Sequence, residues 1–392
     1  MRLSMTRLWI FGLAIAPALQ AQFSSGSTGS DGALNLTTPG TMVFDPVAMG
    51  LNPAGDNIFN FTTINIGSTT TVVMRADLVR NRSVVWLATG NVTIAGTLNL
   101  SGDNGAGLDA ANPGATRAPS MPGPGGFPGG VGSYLQSPAT SGGGYGGGAA
   151  ANPEGRGGVY SYDSIQLVPL VGGSGGGGGS LGSGVGGNGG AGGGAIRIVS
   201  STTIIVTGAI YAAGGGSSGG TAYTGGGGSG GAVHLIAPTV TVSGTINAAG
   251  GSGGGGFSGS SGVIKLSATN GSYTGSISPA ASQGPLYNPP LPTAVSSVKV
   301  VSVNGIAAPA DITASYLAPD FTVSTASTVS INISAQYIPV GTVVNLYLTS
   351  EQGNDSTVTC AALAGTLMSS TATCAGASFP QGLTITEIKA VW

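Results

Sequence analysis

SVVWLATGNVTIAGTLNLSG, residues 83–102, is the stretch whose reading decides the fold. It returns as AIRIVSSTTIIVTGAIYAAGG at 195–215 and as AVHLIAPTVTVSGTINAAGG at 232–251. Each copy runs from a short apolar strand through a Gly-Thr/Ala-hydrophobic step into a glycine tract. The tracts 103–194, 214–231 and 250–262 hold 53 of the 75 glycines, so glycine is gathered into excursions between repeats.

Working outward, the second copy splits into AIRIVS (195–200), TIIVTG (203–208) and AIYAAG (209–214). The third splits into AVHLIA (232–237), TVTVSG (239–244) and TINAAG (245–250), and VIKLSA (263–268) begins a partial further copy. Each piece alternates an aliphatic residue with a small polar one, the period of a strand with one buried side. One such unit buries a single row; stacked units make a continuous core. Helix is disfavoured, because glycine costs about 1 kcal/mol per helical position relative to alanine. The expected fold class is all-β, with a short parallel β-solenoid over 56–284 interrupted by the long Gly/Pro insertion 103–194.

The glycine tracts admit two readings. Low-complexity Gly/Ser usually means disorder. Alternatively, extended polyglycine-II-like helices pack side by side, with amides pairing between neighbours. Tracts 214–231 and 250–262 leave and re-enter at equivalent points of adjacent copies, which suits ordered, stacked hairpins. Residues 103–160, rich in proline, read as a mobile loop.

Residues 1–21 read as a secretory signal peptide: Arg2 and Arg7, then the apolar run Leu8 to Leu19, then Ala21. Residues 22–55 are an irregular lead-in or cap. Pro285, Pro289, Pro290 and Pro292 mark a stiff linker over 285–293. Beyond it, 294–392 holds about seven strand-like stretches with turn signals every eight to twelve residues, the pattern of an immunoglobulin-like β-sandwich. The two cysteines, Cys360 and Cys374, are expected to form one disulfide between neighbouring strands of that module.

Charge excludes some functions. The chain has 11 Lys and Arg against 13 Asp and Glu. Without clustered Lys or Arg, nucleic acid is not an expected partner. No apolar segment of spanning length follows residue 21, so no transmembrane segment is expected after signal removal. No cofactor is expected.

The coil SVVWLATGNVTIAGTLNLSG, repeated with glycine-rich excursions over about 56–270, resembles glycine-rich exported bacterial proteins with solenoid cores and polyglycine arms, such as the PGRS-type surface proteins. The C-terminal part is similar to immunoglobulin-like modules of bacterial surface proteins. The resemblance implies surface display, adhesion or a structural role, and it transfers no catalytic residue. The expected function is a secreted or cell-surface structural or adhesive protein without turnover. Its expected partner is extracellular matrix, a glycan or another cell-surface molecule.

Against this stand the residues that could carry chemistry. His234, the single histidine, alternates with Val233 and Leu235 and should face solvent at the place Arg197 holds in the previous copy. A polysaccharide-degrading β-helix enzyme would need grouped carboxylates; the candidates are Asp77, Asp103, Asp109 and Asp163, with Arg75, Arg80 and Arg82. Asp77 lies in the charged turn RADLVRNR (75–82), and Asp103 and Asp109 lie where Asp and Asn are ordinary turn formers. No catalytic residue is therefore expected. Asp103, Asn104, Asp109 and Asn112 could offer oxygen ligands to calcium, but the GGxGxD repeat of calcium-loaded β-rolls is missing, so a polar loop is the expectation and no metal site is assigned. Threonines at 69–71, 202–203 and 239–242 could form a flat outward array for ice or a glycan, although outward Thr is also an ordinary solubilising choice. Tyr134, Tyr145, Tyr160, Tyr162, Tyr211 and Tyr223 are dispersed, a thin platform for sugar stacking.

Overall fold

The computed structural model describes residues 23–51, 56–106, 119–133, 139, 142, 155–159, 167, 170–179, 186–219, 223–287, 297–309, 319–324, 328–350, 356–382 and 384–390. The expected signal peptide lies outside them, as do Asp109, Asn112 and Asp163. The first body comprises β1 (Gly32–Leu36), β2 (Gly40–Val43), β3 (Ile58–Ile66), β4 (Thr70–Val73), β5 (Val84–Ala88), β6 (Val92–Ile94) and β7 (Thr97–Asn99). It continues with β8 (Ala195–Ser200), β9 (Thr203–Val206), β10 (Ala209–Tyr211), β11 (Ala232–Val242), β12 (Thr245–Asn247), β13 (Val263–Tyr273), β14 (Ser276–Ser278) and β15 (Ser282–Gly284).

The chain is all-β, but the expected solenoid is corrected by the strand pairing. Six parallel strands close on themselves in the order β3-β5-β8-β11-β9-β6 and back to β3, a closed parallel barrel. Two long strands close the ring. β3 pairs β5 through residues 58–61 and β6 through 64–66. β11 pairs β8 through 232–236 and β9 through 239–242. The third copy divides in sequence into AVHLIA (232–237) and TVTVSG (239–244), yet β11 runs through Pro238 from one to the other, because the ladder to β13 continues on both sides, Ala237 on Ala268 and Thr239 on Asn270. A second parallel sheet runs β14-β12-β10-β7-β4-β2.

One core fills this body. At one end Phe44, Phe59, Phe61 and Trp86 are fully buried, with ring centroids 5.3–6.1 Å apart. Farther along, aliphatic residues stack in register: Ile198 on Leu235 on Leu266, and Leu98 on Ile210 on Ile246. The Gly of the repeated Gly-Thr/Ala-hydrophobic step turns the chain from one sheet into the other. Gly96, Gly208, Gly244 and Gly275 lie one above the next, and a Cβ on Gly208 would stand 1.9 Å from the Gly96 carbonyl oxygen.

The glycine tracts are ordered wherever they are described. Phe127, Gly130 and Ser133 donate their amides to Gly173, Gly176 and Gly179; these three donate to Gly193, Gly190 and Gly187; and those donate to Ser229, Gly226 and Tyr223, all at 2.7–3.0 Å. The step is three residues, the turn of a polyproline-II-type helix. Consecutive amides point to different neighbours: Gly226 donates to Gly177, Gly227 to Phe257 and Gly228 to Gly215. Residues 119–133 and 155–159, expected in a mobile loop, belong to this array; Gly155 and Gly158 donate to Thr224 and Gly227.

The C-terminal body comprises β16 (Ser297–Val303), β17 (Ile306–Ala307), β18 (Val329–Gln336), β19 (Val343–Ser350), β20 (Ser356–Ala362), β21 (Ala364–Thr366), β22 (Ser369–Ala377) and β23 (Thr384–Ala390). It forms antiparallel sheets of five strands, β17-β16-β18-β22-β21, and three, β20-β19-β23, so the immunoglobulin-like sandwich with its four-and-three division is also corrected. Ile331, Ile333, Val344, Leu346 and Leu348 fill its core. Cys360 on β20 is bonded to Cys374 on β22, so the expected disulfide is present, and it joins the two sheets.

Candidate functional site

The strongest candidate for contact with a partner is the outer face of the second sheet. Its strands are in register, so Thr41, Thr71, Thr97, Ala209, Thr245 and Ser276 form one row. Two residues on, Val43, Val73, Asn99, Tyr211, Asn247 and Ser278 form a second. Between the rows, Val72, Leu98, Ile210 and Ile246 point inward and are fully buried. The rows are half-exposed or exposed, as period-two alternation requires. Asn99 Oδ1 accepts the Ser101 amide at 3.0 Å and Asn247 Oδ1 the Ala249 amide at 2.8 Å, which fixes both side chains. None of the twelve residues carries a charge.

His234 is the main correction among single residues. It is not at the surface: its exposure is 0%. Strand register places it between Arg197 on β8 and Lys265 on β13, a row of three nitrogenous side chains. Leu167 and Tyr287, distant in sequence, close over the row. The Arg197 guanidinium donates to the Leu167 carbonyl at 2.7 Å, and the Lys265 ammonium stands 4.9 Å from the centre of the Tyr287 ring. His234 Nε2 lies 3.2 Å from Ser267 Oγ, and Nδ1 has no hydrogen-bond partner among the described residues. Burial, and then Arg197 and Lys265, press the His234 pKa down to about 2. Burial also lowers the pKa of Arg197 and of Lys265. An imidazole enclosed in this way meets no substrate, and its low basicity makes it a poor general base.

The remaining candidates divide. Arg75 grips Asp77 through Nε and one terminal nitrogen, at 3.0 and 2.7 Å, so this pair is a surface ion pair. The fold brings Asp103 close enough for Arg75 to pull its pKa down, against a larger rise from desolvation. Arg80 holds a left-handed backbone at φ 53° just after a short 3-10 turn (Asp77–Val79), and Arg82 follows it. Asn104 Oδ1 accepts the Gly216 amide at 2.7 Å, which commits that oxygen to the glycine array. Among the described residues no three His, Cys, Asp or Glu side chains gather as a metal site. Of the threonines, Thr71 lies on the outer row, whereas Thr70 is buried and donates to the Thr38 carbonyl at 2.8 Å. Thr203 and Thr239 are register partners on the barrel. Of the tyrosines, Tyr211 is on the candidate face and Tyr223 is at the far end of an arm, bridged to Gly186; Tyr134, Tyr145, Tyr160 and Tyr162 lie outside the described residues. Sequence reading missed the contact of Arg156 with Phe257, 4.8 Å from guanidinium to ring centre, because neither belongs to a repeat.

No helix among the described residues is long and apolar enough to cross a membrane. No family model, curated protein or solved structure matches the chain.

Proposed function

We propose that this chain is an exported structural or adhesive protein of the cell surface or extracellular space, acting by surface contact without turnover. One observation carries the reading. A glycine array, bonded amide to carbonyl every third residue, is built onto a closed barrel, so the arms are held to one another by backbone hydrogen bonds. Such a body suits spacing and display better than a cleft that must close on a substrate. The resemblance to PGRS-type surface proteins supports the same reading by analogy. The test is location: antibody to residues 297–390, applied to intact cells of the source organism and to cleared medium. Label on intact cells is the expected result; protein confined to the medium overturns surface attachment.

A second reading, extracellular glycan or ice binding, is favoured by the two uncharged in-register rows on the second sheet.

A further inference from the structure

We propose that the outer face of β2, β4, β7, β10, β12 and β14 is the docking face for a neutral polysaccharide chain lying across the strands. This rests on the binding reading above and names its ligand class.

Size narrows the occupant. Six strands at ~4.8 Å spacing make a face ~24 Å long, and three residues across make it ~7 Å wide. Its area of ~170 Å² falls well below the ~800 Å² that each partner of a stable protein pair buries. A thin extended chain fits where a second globular protein does not. The strand spacing is also close to the length of one extended sugar unit, so successive units would meet successive strands.

Charge narrows it further. Phosphate backbones and anionic headgroups are held by Lys and Arg, and neither row has any. The chemistry on offer is hydroxyl, carboxamide, methyl and one phenol. Thr41, Thr71, Thr97 and Thr245 are β-branched with restricted χ1, so little side-chain freedom is lost on binding. Tyr211 lies in register between Asn99 and Asn247. An aromatic ring with a polar tip, flanked by two fixed amides, matches a sugar's apolar face and hydroxyl rim.

The test is co-sedimentation of the full chain with microcrystalline cellulose, chitin and granular starch, with ice-affinity partition alongside. Wild type should pellet with at least one polysaccharide. Thr97→Lys/Thr245→Lys should lose binding at least about tenfold, since two long, rotamer-rich side chains replace short, stiff ones and must be displaced or ordered before the ligand can reach the face. Tyr211→Ala should weaken binding without adding charge, and Thr93→Lys/Thr241→Lys, on the barrel's outer side, should bind as wild type does. Wild type left in solution with all three polysaccharides overturns the proposal, as does pelleting unchanged by the face variants. Uptake into ice lost in the same variants, without glycan binding, overturns it in favour of ice. Surface labelling of cells is a separate readout, so a protein displayed on cells that ignores glycans sinks this inference and leaves the adhesive reading standing.

Discussion

Gly176→Ala is the sharpest probe of the glycine array. Gly176 accepts the Gly130 amide and donates to the Gly190 carbonyl, both at 2.8 Å. A Cβ there would stand 2.1 Å from the Gly226 carbonyl oxygen and 2.4 Å from its carbon, against a lower limit of 3.0 Å for real contacts. All three nearest atoms are backbone, so no side chain can swing aside. The neighbouring arm must move by about 1 Å, at an overpacking cost of ~1–3 kcal/mol. That movement strains the bonds from Gly190 to Gly226 and from Gly226 to Gly177, and losing both adds ~1–3 kcal/mol. The expected loss is about 4 kcal/mol, or a midpoint lower by roughly 10 °C for a body of this size. The internal control is Gly219→Ala, where a Cβ meets nothing within 4 Å; it should be neutral or stabilise by ~0.4–1 kcal/mol by restricting the unfolded chain. Thermal melts, with amide exchange at 173–179 and 186–193, read both variants. Equal melting of the two, or Gly176→Ala within about 1 kcal/mol of wild type, would refute the close-packed array.

Three further predictions follow from the site and the core. His234 has a folded pKa of about 2 against an ordinary 6.5, so the unfolded state binds the extra proton and stability falls as pH drops below 6.5, by up to ~1.4 kcal/mol per unit. His234→Asn should flatten the stability profile between pH 6.5 and 4, and identical profiles would show that the imidazole is not shielded as described. Arg197→Met should raise the His234 pKa, since it removes a neighbouring cation, and should cost ~1–3 kcal/mol of stability because the buried Leu167 carbonyl loses its donor; NMR titration of the single imidazole is the readout. Cys360→Ala/Cys374→Ala opens a loop of sequence separation 14 and should cost about 3 kcal/mol, seen as an earlier urea transition of the C-terminal body with the barrel transition unmoved.

The parallel pairing was legible because each repeat carries its register in its own letters. Gly208 and Gly244 align the second and third copies, and Ala209 does pair Thr245. Ring closure was not legible, because it depends on β3 and β11 each pairing with two different strands, and the third copy divides in sequence at 237–239 where β11 is continuous. The burial of His234 was invisible for a different reason: alternation placed it on the barrel's outer side, and its cover comes from Leu167 and Tyr287, which no repeat connects to it. Residues 119–133 misled through Pro122, Pro124 and Pro128. Proline ends helices and ladders, but its fixed φ suits the extended helix found here. The candidate face was half legible: the threonines could be named, whereas the alignment of Tyr211 between two asparagines needs the register.

Why barrel and glycine array occur together follows from where the arms begin and end. The Leu100 carbonyl accepts the Gly194 amide, the Ala212 carbonyl that of Gly231, and the Ala248 carbonyl that of Gly262, each at 2.8 Å. These are equivalent points: Leu100, Ala212 and Ala248 directly follow β7, β10 and β12, and Gly194, Gly231 and Gly262 directly precede β8, β11 and β13. Strands and arms are both extended chains joined by amide–carbonyl bonds of the same length. Both therefore space their neighbours at about the 4.8 Å of a sheet. An arm can leave one strand and return to the next without strain, and the barrel fixes its register over its neighbour. Free glycine chains have no such template and would bear the full cost of ordering, about 1–2 kcal/mol per residue. Closing each arm at its base lowers that cost, and packing against ordered neighbours offsets the rest. The barrel is thus the template on which an otherwise disordered composition becomes rigid.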